Sequence, residues 1–459
     1  MEAHPKVIRR KIFSLAWPLI IQNFLYTLMY FVDTLMVGSL GAVVLAATGI
    51  TGPVMWFLSA ILMSIGIGTV AMVARSVGEK NVLKARTYAA TAYLLGIIGG
   101  LIITVIGVIF SERIAELFTK DQRVILETAG YMRLVFCSFV FNYISMIGSS
   151  ILRSAGDTRT PMKITVFTNI LNIIGNYIFI FGKLGMPALG LQGAGLSTAI
   201  CKVVEGYLIS AHIFSERSVL RLYPENFKMI NYESIKQLLR VSLPAAFEPF
   251  VVQSGMLVFT RIVTSLGTIA MASHRVAVAI ESLSFNPGFA FSMTCATLVG
   301  QKLGEKSERG VRQIVKQSLI IAIGIMSCFG IIFFIFPSFL ARMFTDNKSI
   351  ISNTTICLMI GAFEQPFLGA AMVFRGAFQG AGETKTPVYI GAISVWGPRI
   401  ILSYLLSIKF ELGLAGIWIA TTVDWICRTI LYAWRYHHHK NKFKEIIAIA
   451  DSQNLSYDA

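Results

Sequence analysis

The chain has 459 residues, of which 55% are hydrophobic and only 14% are charged, and its formal net charge at pH 7 is +16. An ordinary soluble domain has about a quarter charged residues, so this composition leaves too little polar surface for a soluble globular protein. The apolar runs 12–37, 85–110 and 318–336 approach or exceed the roughly 20 residues that a helix needs to cross a bilayer. They show no period-two alternation of the kind found in outer-membrane strands. The composition therefore predicts an all-α polytopic membrane protein.

Twelve membrane-spanning helices are predicted in chain order, and we refer to them as spans 1 to 12. They are placed at residues 12–37, 44–76, 85–110, 124–152, 160–182, 190–215, 236–265, 269–300, 313–339, 349–380, 386–408 and 412–434. The N-terminal residues 1–11 are basic, but no short apolar stretch with a small-residue cleavage site follows them. We therefore expect span 1 to remain in the mature protein and not to act as a signal peptide.

The basic residues are distributed unequally between the two sides of these spans. Of the 40 Lys and Arg residues, 27 fall in the two termini and in the connections that follow even-numbered spans, and 8 fall in the other connections. Lys and Arg accumulate on the cytoplasmic side of membrane proteins, so we expect both termini and the long connection 217–240 to be cytoplasmic. Membrane topology thus accounts for the positive charge, and we expect no nucleic-acid partner.

An internal repeat divides the spans into two sets of six. The phrase "LRSAGDTRTP" at 152–161 matches "FQGAGETKTP" at 378–387, which is an offset of 226 residues, and "GEK" recurs at 78–80 and 304–306 with the same offset. Six is an even number, so both sets begin on the same side of the membrane, and the repeat is parallel with a pseudo-two-fold axis along the membrane normal. The sequence predicts an N-terminal lobe, a cytoplasmic linker, a C-terminal lobe and a cytoplasmic tail, at residues 1–215, 216–235, 236–436 and 437–459.

The repeated phrase itself has the residues of a tight turn between two spans. Gly156 and Gly382 permit a sharp reversal of the chain. Asp157 and Glu383 follow them, and we expect each to accept hydrogen bonds from the N-terminus of the next helix. On physical grounds alone the phrase is a turn and has no catalytic role.

The repeated phrase and three further segments resemble the paired signature of the multidrug and toxic compound extrusion (MATE) transporters. The three segments are "AWPLIIQNFLYTLMYFVDTLMVGSLG" in span 1, "NILNIIGNYIFIFG" in span 5 and "ESLSFNPGFAFSMTCATLVGQKLGE" in spans 8 and 9. The resemblance covers residues 10–436 and is closer to the NorM-like than to the DinF-like branch.

This resemblance implies a V-shaped pair of pseudo-symmetric six-helix lobes in the prokaryotic cytoplasmic membrane. It also implies secondary active export of cationic or amphiphilic organic compounds, by antiport against inward Na⁺ or H⁺. We expect a monomer that is not an enzyme, with no cofactor other than the coupling ion. The partners expected are therefore small organic molecules and the lipid bilayer.

Asp33 stands alone in the apolar stretch 26–37 of span 1, at a depth where an ionisable group costs roughly 2.5–3.5 kcal/mol on insertion scales. Its repeat equivalent is Phe259, so the symmetry of packing does not require an acid there. The family has a cation-coupling acid at this place in span 1, and the resemblance implies that role for Asp33, together with substrate binding and Na⁺ ligation. The structural alternative is that Asp33 only forms a hydrogen bond to a neighbouring helix.

Asn169, Asn172 and Asn176 recur at helical spacing on span 5, so they form one polar stripe. Their amide oxygens can ligate Na⁺ or form hydrogen bonds with Asp33. We assign Asn172 and Asn176 to cation coupling, Asn172 with Asp33 to a Na⁺ site, and Asn169 to substrate binding. DinF-like members carry Asp where Asn176 stands, and this chain lacks that acid. The structural alternative is that the stripe holds helices together.

The C-terminal lobe has its own buried acids. Glu248 lies in the middle of span 7, where the first lobe has Gln22, while Glu281 lies in span 8 and Glu364 and Gln365 lie in span 10. NorM-like members place coupling acids on spans 7 and 10, so the resemblance implies a coupling role for Glu248 and Glu364, each about one turn from those positions. We assign Glu248, Glu281 and Gln365 to substrate binding.

Structural roles are the alternative for these acids. Glu248 or Glu281 could be neutralised by a basic side chain of the same spans, namely Arg261, Arg275 or His274. Asp424 and Arg428, four residues apart in span 12, are expected to pair with each other, together with Arg399.

Other functions are less consistent with the sequence. A lipid-linked oligosaccharide precursor flippase of the same superfamily is the alternative, but it needs a cationic cavity for pyrophosphate, whereas the candidate groups here are mostly acidic. A carrier of the major facilitator type also has six plus six spans, but its charged signature between spans 2 and 3 is not found. The sequence also has no nucleotide-binding loop, no helix-borne HExxH and no nucleophile elbow, which argues against an enzyme.

Overall fold

The computed structural model describes residues 4–438, and within that range its regular elements are all helices. Twelve long helical segments follow the twelve predicted spans, so the predicted all-α polytopic fold is confirmed. In chain order the spans are Pro5–Gly38, Ala42–Gly78, Val82–Glu116, the pair Gln122–Cys137 and Phe139–Ser154, Arg159–Phe181, Gly190–Phe214, Tyr232–Ser265, Thr268–Gly304, Glu308–Ile335, Lys348–Gly380, Lys385–Lys409 and Gly413–His438. Two short helices, Pro224–Lys228 and Pro337–Arg342, lie in connections.

The length and composition of these helices suit a membrane. In the part of the chain that the structure describes, nine of them are long and apolar enough to span a bilayer, and span 4 makes a tenth when its two bent halves count as one. Spans 6 and 8 are the remaining two, and both contain charged residues within the helix, such as Lys202 and Glu205 in span 6 and Glu281 in span 8.

Two spans are irregular where the sequence predicted continuous helices. Span 4 bends by 47° at Ser138, whose hydroxyl donates to the Val135 carbonyl at 2.8 Å. Span 11 changes from α-helix to π-helix over Val395–Leu402, a segment that contains Pro398. Proline has no N–H and cannot donate the usual bond to the carbonyl four residues earlier, and single π-turns accommodate such interruptions.

The repeat is present in the backbone as well as in the sequence. Gly156 and Gly382 have positive φ values of 96° and 78°, and in both copies the next residue donates its N–H to the carbonyl five residues earlier at 2.9 Å. Lys80 and Lys306, also 226 residues apart, have φ values of 58° and 56°. Non-glycine residues rarely adopt this left-handed conformation, so its recurrence shows that the same turn is built twice.

The expected helix caps after the repeated glycines differ between the two copies. The Asp157 Oδ1 atom accepts from the backbone N–H groups of Arg159 and Thr160 at 3.1 and 3.0 Å, as expected. Glu383 instead accepts from the hydroxyl of Thr386 at 3.3 Å. The extra methylene of glutamate moves its carboxylate away from the backbone that the shorter aspartate reaches.

The described chain forms two compact units. The N-terminal unit comprises residues 21–77 and 81–246, and the C-terminal unit comprises the segment up to Ile20, residues 78–80 and the chain from Phe247 onward. The start of span 1 therefore belongs to the C-terminal unit, and the start of span 7 belongs to the N-terminal unit. The predicted lobes, 1–215 and 236–436, instead place the start of span 1 in the N-terminal lobe and the start of span 7 in the C-terminal lobe. The lobe boundaries describe the sequence repeat, and they stay a prediction.

Apolar packing explains this division. Ile12 is fully buried in a core that contains Phe291 and Leu298 of span 8. Leu238, at the start of span 7, is fully buried against a core that contains Tyr88 of span 3 and Ile151 of span 4. The predicted tail 437–459 lies outside the described residues, except for its first two positions.

Candidate functional site

Asp33 and the asparagine stripe of span 5 meet inside the N-terminal unit. The Asn176 side-chain amide donates to Asp33 Oδ1 at 2.5 Å and to Asn172 Oδ1 at 3.2 Å. Asn172 is also linked to span 6, because the Ser197 hydroxyl donates to the Asn172 backbone carbonyl at 3.1 Å. Asn172 and Asn176 are fully buried, whereas Asp33 is half-buried. The predicted face of span 5 thus lies against the predicted acid of span 1.

The oxygen atoms of this cluster suit a small monovalent cation. Among the described residues, Asn176 Oδ1 is buried and has no hydrogen-bond partner, and it belongs to the same side chain that contacts Asp33. A carboxylate with amide oxygens is the ligand type that hard cations prefer. No group of three or more His, Cys, Asp or Glu side chains that could hold a metal ion occurs in residues 4–438.

Asn169, predicted on the same stripe, lies one turn before Asn172 and is also buried. Its side-chain nitrogen has no hydrogen-bond partner within residues 4–438. A buried amide nitrogen that makes no hydrogen bond is costly. Asn169 therefore has an unsatisfied donor at one end of the stripe, and its assignment to substrate binding stays a prediction.

A second polar cluster in the N-terminal unit was not predicted. Lys202 Nζ lies 2.8 Å from Glu205 Oε2 on span 6, and the other carboxylate oxygen accepts from the Tyr26 hydroxyl at 3.1 Å and the Thr165 hydroxyl at 3.4 Å. The Glu205 side chain is 4% exposed and that of Lys202 is 20% exposed. The signal available in the sequence was two opposite charges three residues apart in the middle of a span.

Glu248 of the C-terminal unit forms an ion pair across spans 7 and 10. Its Oε1 atom lies 2.7 Å from Arg375 Nε. The sequence analysis offered Arg261, Arg275 or His274 as neutralising groups, and that assignment was wrong for Glu248. The pairing depends on the packing of span 7 against span 10, which the spacing of residues along one helix does not reveal.

Glu281 and Glu364 lie within hydrogen-bonding reach of each other, although they belong to spans 8 and 10. Both are buried, and Glu364 is fully so. Thr422 of span 12 donates to Glu364 Oε2 at 3.4 Å. Two carboxyl groups can form a hydrogen bond with each other only if one of them carries a proton. This pair can therefore hold a proton between two membrane-embedded helices.

Asp424 forms the most strongly paired acidic site of the C-terminal unit, and its predicted partner Arg428 is confirmed. Arg428 donates to both carboxylate oxygens, at 3.0 and 3.2 Å, and Arg399 Nε lies 2.7 Å from Asp424 Oδ2. Asp424 is fully buried. One carboxylate thus has two guanidinium partners, which is an arrangement that favours a structural role.

Gln365 is fully buried beside Glu364. Its side-chain nitrogen donates to the Gly361 carbonyl at 3.4 Å, and its oxygen has no hydrogen-bond partner in the described part of the chain. The structure thus brings Asp33, Asn172 and Asn176 into one hydrogen-bonded cluster. The roles assigned to all the predicted site residues stay predictions.

Comparison with known proteins gives a consistent result. A sequence profile of the MatE family matches residues 18–178 and 244–405 of this chain. The probable multidrug resistance protein NorM of Thermotoga maritima is 33% identical over 428 residues, which are 92% of this chain and 91% of that protein. The uncharacterized transporter YisQ of Bacillus subtilis is 28% identical over 432 residues, covering 92% of this chain and 93% of its own.

Solved structures show the same fold. The Vibrio cholerae MATE transporter VcmN, in its bent form, superposes with a TM-score of 0.90 at 20% identity, covering 96% of this chain and 99% of that one. A transporter of the MOP superfamily from Pyrococcus furiosus superposes with a TM-score of 0.88 at 22% identity, covering 95% and 97% of the two chains. One family profile thus matches each of the two six-helix sets of this chain. The solved structures with the same fold are named as transporters.

Proposed function

This chain belongs to the MatE family of membrane transporters, as the match of the family profile to both halves shows, and we propose that it is a secondary active multidrug exporter. In this proposal cationic or amphiphilic organic compounds leave the cell in exchange for inward Na⁺ or H⁺. Several relatives are named as multidrug resistance proteins, including NorM of Thermotoga maritima and MdtK of Edwardsiella ictaluri. Those names describe the relatives, and they support the proposal for this chain.

The observation that carries the coupling part of the proposal is the contact between Asp33 and Asn176. Asp33 is half-buried in a membrane-spanning helix, and its hydrogen-bond donor there is a neutral amide instead of a cation. A carboxylate whose hydrogen-bond donor is a neutral amide can be neutralised by a proton or by Na⁺. The charge of the site therefore changes when the driving cation binds.

Antiport follows if the driving cation and the substrate favour different conformations. A ligand shifts a conformational equilibrium only by the difference in its affinity for the two states. In the proposed cycle the inward-moving cation binds Asp33 with the amide oxygens of Asn172 and Asn176, and it competes with the outward-moving substrate. Glu248 and Glu364 in the C-terminal unit are the proposed second set of coupling groups, with Glu248, Glu281 and Gln365 contacting substrate.

The flippase alternative fits these groups less well. Glu281 and Glu364 place two carboxyls side by side, and an anionic pyrophosphate would be repelled by any charge they carry. We further propose that the protein resides in the cytoplasmic membrane as a monomer with both termini in the cytoplasm. The excess of Lys and Arg in the termini and even-to-odd connections supports that orientation.

The test is efflux of a fluorescent organic cation from proteoliposomes under separately imposed Na⁺ and H⁺ gradients. We expect one gradient to drive efflux by the unmodified protein, and we expect Asp33→Asn to abolish that efflux while the protein still inserts and folds. Asp346→Asn, which makes the same chemical change at an exposed position, is the matched control and should transport normally. Unchanged gradient-driven efflux by Asp33→Asn would remove Asp33 from the mechanism, which would then have to rest on Glu248, Glu281 and Glu364.

A further inference from the structure

Polar side chains line the sides of spans 1, 5 and 6 that face one another within the N-terminal unit. They are Gln22, Tyr26 and Asp33 on span 1, Thr165, Asn169, Asn172 and Asn176 on span 5, and Ser197 and Glu205 on span 6. The spacings within each set, mainly three, four or seven residues, keep the set on one helical face. Together these side chains form a polar column. Each end of the column is a separate hydrogen-bonded group, one around Asp33 and one around Glu205. Asn169 lies between the two groups.

The group around Glu205 binds a cation that belongs to the protein itself, the ammonium group of Lys202. The Lys202 ammonium lies 2.8 Å from one carboxylate oxygen and 5.4 Å from the centre of the Tyr26 ring. The other carboxylate oxygen accepts from the hydroxyls of Tyr26 and Thr165, and Gln22 donates to the same Thr165 hydroxyl at 2.9 Å. A carboxylate, hydroxyl groups and an aromatic face are groups that bind a cation.

The two groups are close enough for a charge in one of them to affect cation binding in the other. Tyr26 and Asp33 are seven residues apart on one helix, which is about 10 Å along its axis. At that distance, with an effective dielectric constant of about 20, one unit charge changes the binding of another by roughly tenfold. Lys202 and Glu205 carry opposite charges, so their effects on Asp33 oppose each other.

We propose that Lys202 and Glu205 are positioning residues whose opposite charges set the affinity of the Asp33 site for its driving cation. Lys202 weakens cation binding at Asp33 by repulsion, and Glu205 offsets that repulsion. The inference rests on the proposed function, because it takes Asp33 as the coupling residue. A further buried cation, Arg153 of span 4, lies near Tyr26, and it stays unchanged in every variant below.

The experiment measures the concentration of the driving cation that gives half-maximal efflux, using whichever of Na⁺ or H⁺ the gradient experiment identifies. Lys202→Met removes only the positive charge, so this concentration should fall about tenfold. Glu205→Gln removes only the negative charge, so it should rise about tenfold. The double variant Lys202→Met with Glu205→Gln removes both charges and should lie within about threefold of the unmodified protein.

A merely structural role for the pair predicts a different result. All three variants would then lose stability or maximal efflux, and the half-maximal concentration would move in one direction or not at all. Shifts of the same sign in the two single variants, or no shift in either, would overturn the inference. If one single variant cannot be purified, the remaining single variant is compared with the double variant. Equal half-maximal concentrations in these two variants would also overturn the inference.

The chain offers a matched control pair. Lys302 and Glu305 are also three residues apart and form an ion pair at 2.5 Å, but they lie at the end of span 8 with side chains 30% and 39% exposed. Lys302→Met and Glu305→Gln should leave the half-maximal concentration unchanged. Asp33→Asn separates the two proposals. Unchanged coupling in that variant refutes the proposed function, whereas lost coupling with same-sign shifts in the Lys202 and Glu205 variants refutes only this inference.

Discussion

The two units share a repeated architecture, but Asp33 of the N-terminal unit and the arginine-paired acids of the C-terminal unit have different kinds of partner. In the N-terminal unit the half-buried carboxylate of Asp33 is held by the neutral Asn176 amide. In the C-terminal unit Asp424 is held by two guanidinium groups, and Glu248 is held by Arg375. The repeat equivalent of Asp33 in the C-terminal unit is Phe259, which is buried.

This difference indicates which unit can take up an external cation at an acid. A carboxylate that is already paired with arginine gains little from Na⁺ or H⁺, because the incoming cation must displace a tethered one. A carboxylate held by an amide has no such competitor. The ion pairs of Glu248 and Asp424 link different spans of the C-terminal unit, whereas Asp33 contacts a neutral amide. The proposed coupling role of Glu248 therefore requires its pair with Arg375 to open, and the proposed role of Asp33 requires no such step.

The largest effect on stability should come from removing the doubly paired acid. Asp424→Asn leaves Arg399 and Arg428 without a counter-charge at a buried site, and breaking such a pair typically costs about 3–5 kcal/mol. Asp33→Asn keeps an acceptor for the Asn176 amide and should cost less than about 1 kcal/mol. Denaturant unfolding in detergent micelles measures both. Equal stability of the two variants would show that the contrast between the units is wrong.

Glu248 and Glu364 should differ from each other in the same measurement. Glu248→Gln leaves Arg375 unpaired, and because the Arg375 side chain is 29% exposed the loss should be smaller, about 1–3 kcal/mol. Glu364→Gln replaces one of two neighbouring carboxyls by a neutral amide that can donate to Glu281, so the stability should change by less than about 1 kcal/mol. A larger loss in Glu364→Gln than in Glu248→Gln would contradict this account of the pair.

A second acid beside Asp33 should increase the affinity of this site for the driving cation. Asn176→Asp places two carboxylates in contact, so the half-maximal concentration of the driving cation should fall by about tenfold or more. The comparison variant is Asn169→Asp, at the other end of the same stripe, which should have a smaller effect. Transport under graded cation gradients provides the measurement, and an unchanged value for Asn176→Asp would place the coupling cation elsewhere.

The smallest effects should be equal in the two units, because they concern the shared scaffold. Gly156 and Gly382 both have positive φ, and open space surrounds the position of an added Cβ at Gly156. Alanine should therefore cost about 1 kcal/mol at either site through backbone strain. Gly324→Ala, at a helical position that is equally open, should be neutral or slightly stabilising. Unequal losses at the two turns would show that the repeat is less symmetric in energy than in geometry.

The sequence was sufficient to predict the helices and the contact between Asp33 and the asparagine stripe. Span 5 was predicted at 160–182 and is observed at Arg159–Phe181, because a long apolar run with a proline start and a glycine end has few other solutions. The contact between Asp33 and the asparagine stripe could be anticipated because helical spacing places the three amides on one face. The helix bounds and the polar face of span 5 depend on one helix at a time, and the resemblance supplied the pairing of that face with Asp33.

The features that could not be predicted depend on how helices pack against one another. Glu248 forms an ion pair with Arg375, and Glu205 accepts a hydrogen bond from Tyr26. In both cases the two helices are far apart in sequence. The sequence analysis assigned no role to Lys202, because the site around its partner Glu205 also needs the hydroxyl groups of Tyr26 and Thr165 on spans 1 and 5. The π-helical part of span 11 is also a packing outcome, for which Pro398 alone is an ambiguous signal.

The division of span 1 between the two units has a consequence for biogenesis. Ile12 emerges from the ribosome among the first residues, but the core that buries it contains Phe291 and Leu298, which are synthesised nearly 300 residues later. Leu238 conversely completes the core of the N-terminal unit. Neither half of the duplicated chain can finish folding alone during translation. The nascent protein must keep the start of its first helix in the translocon or in lipid until the eighth span arrives, and two separately expressed halves would each lack part of their own core.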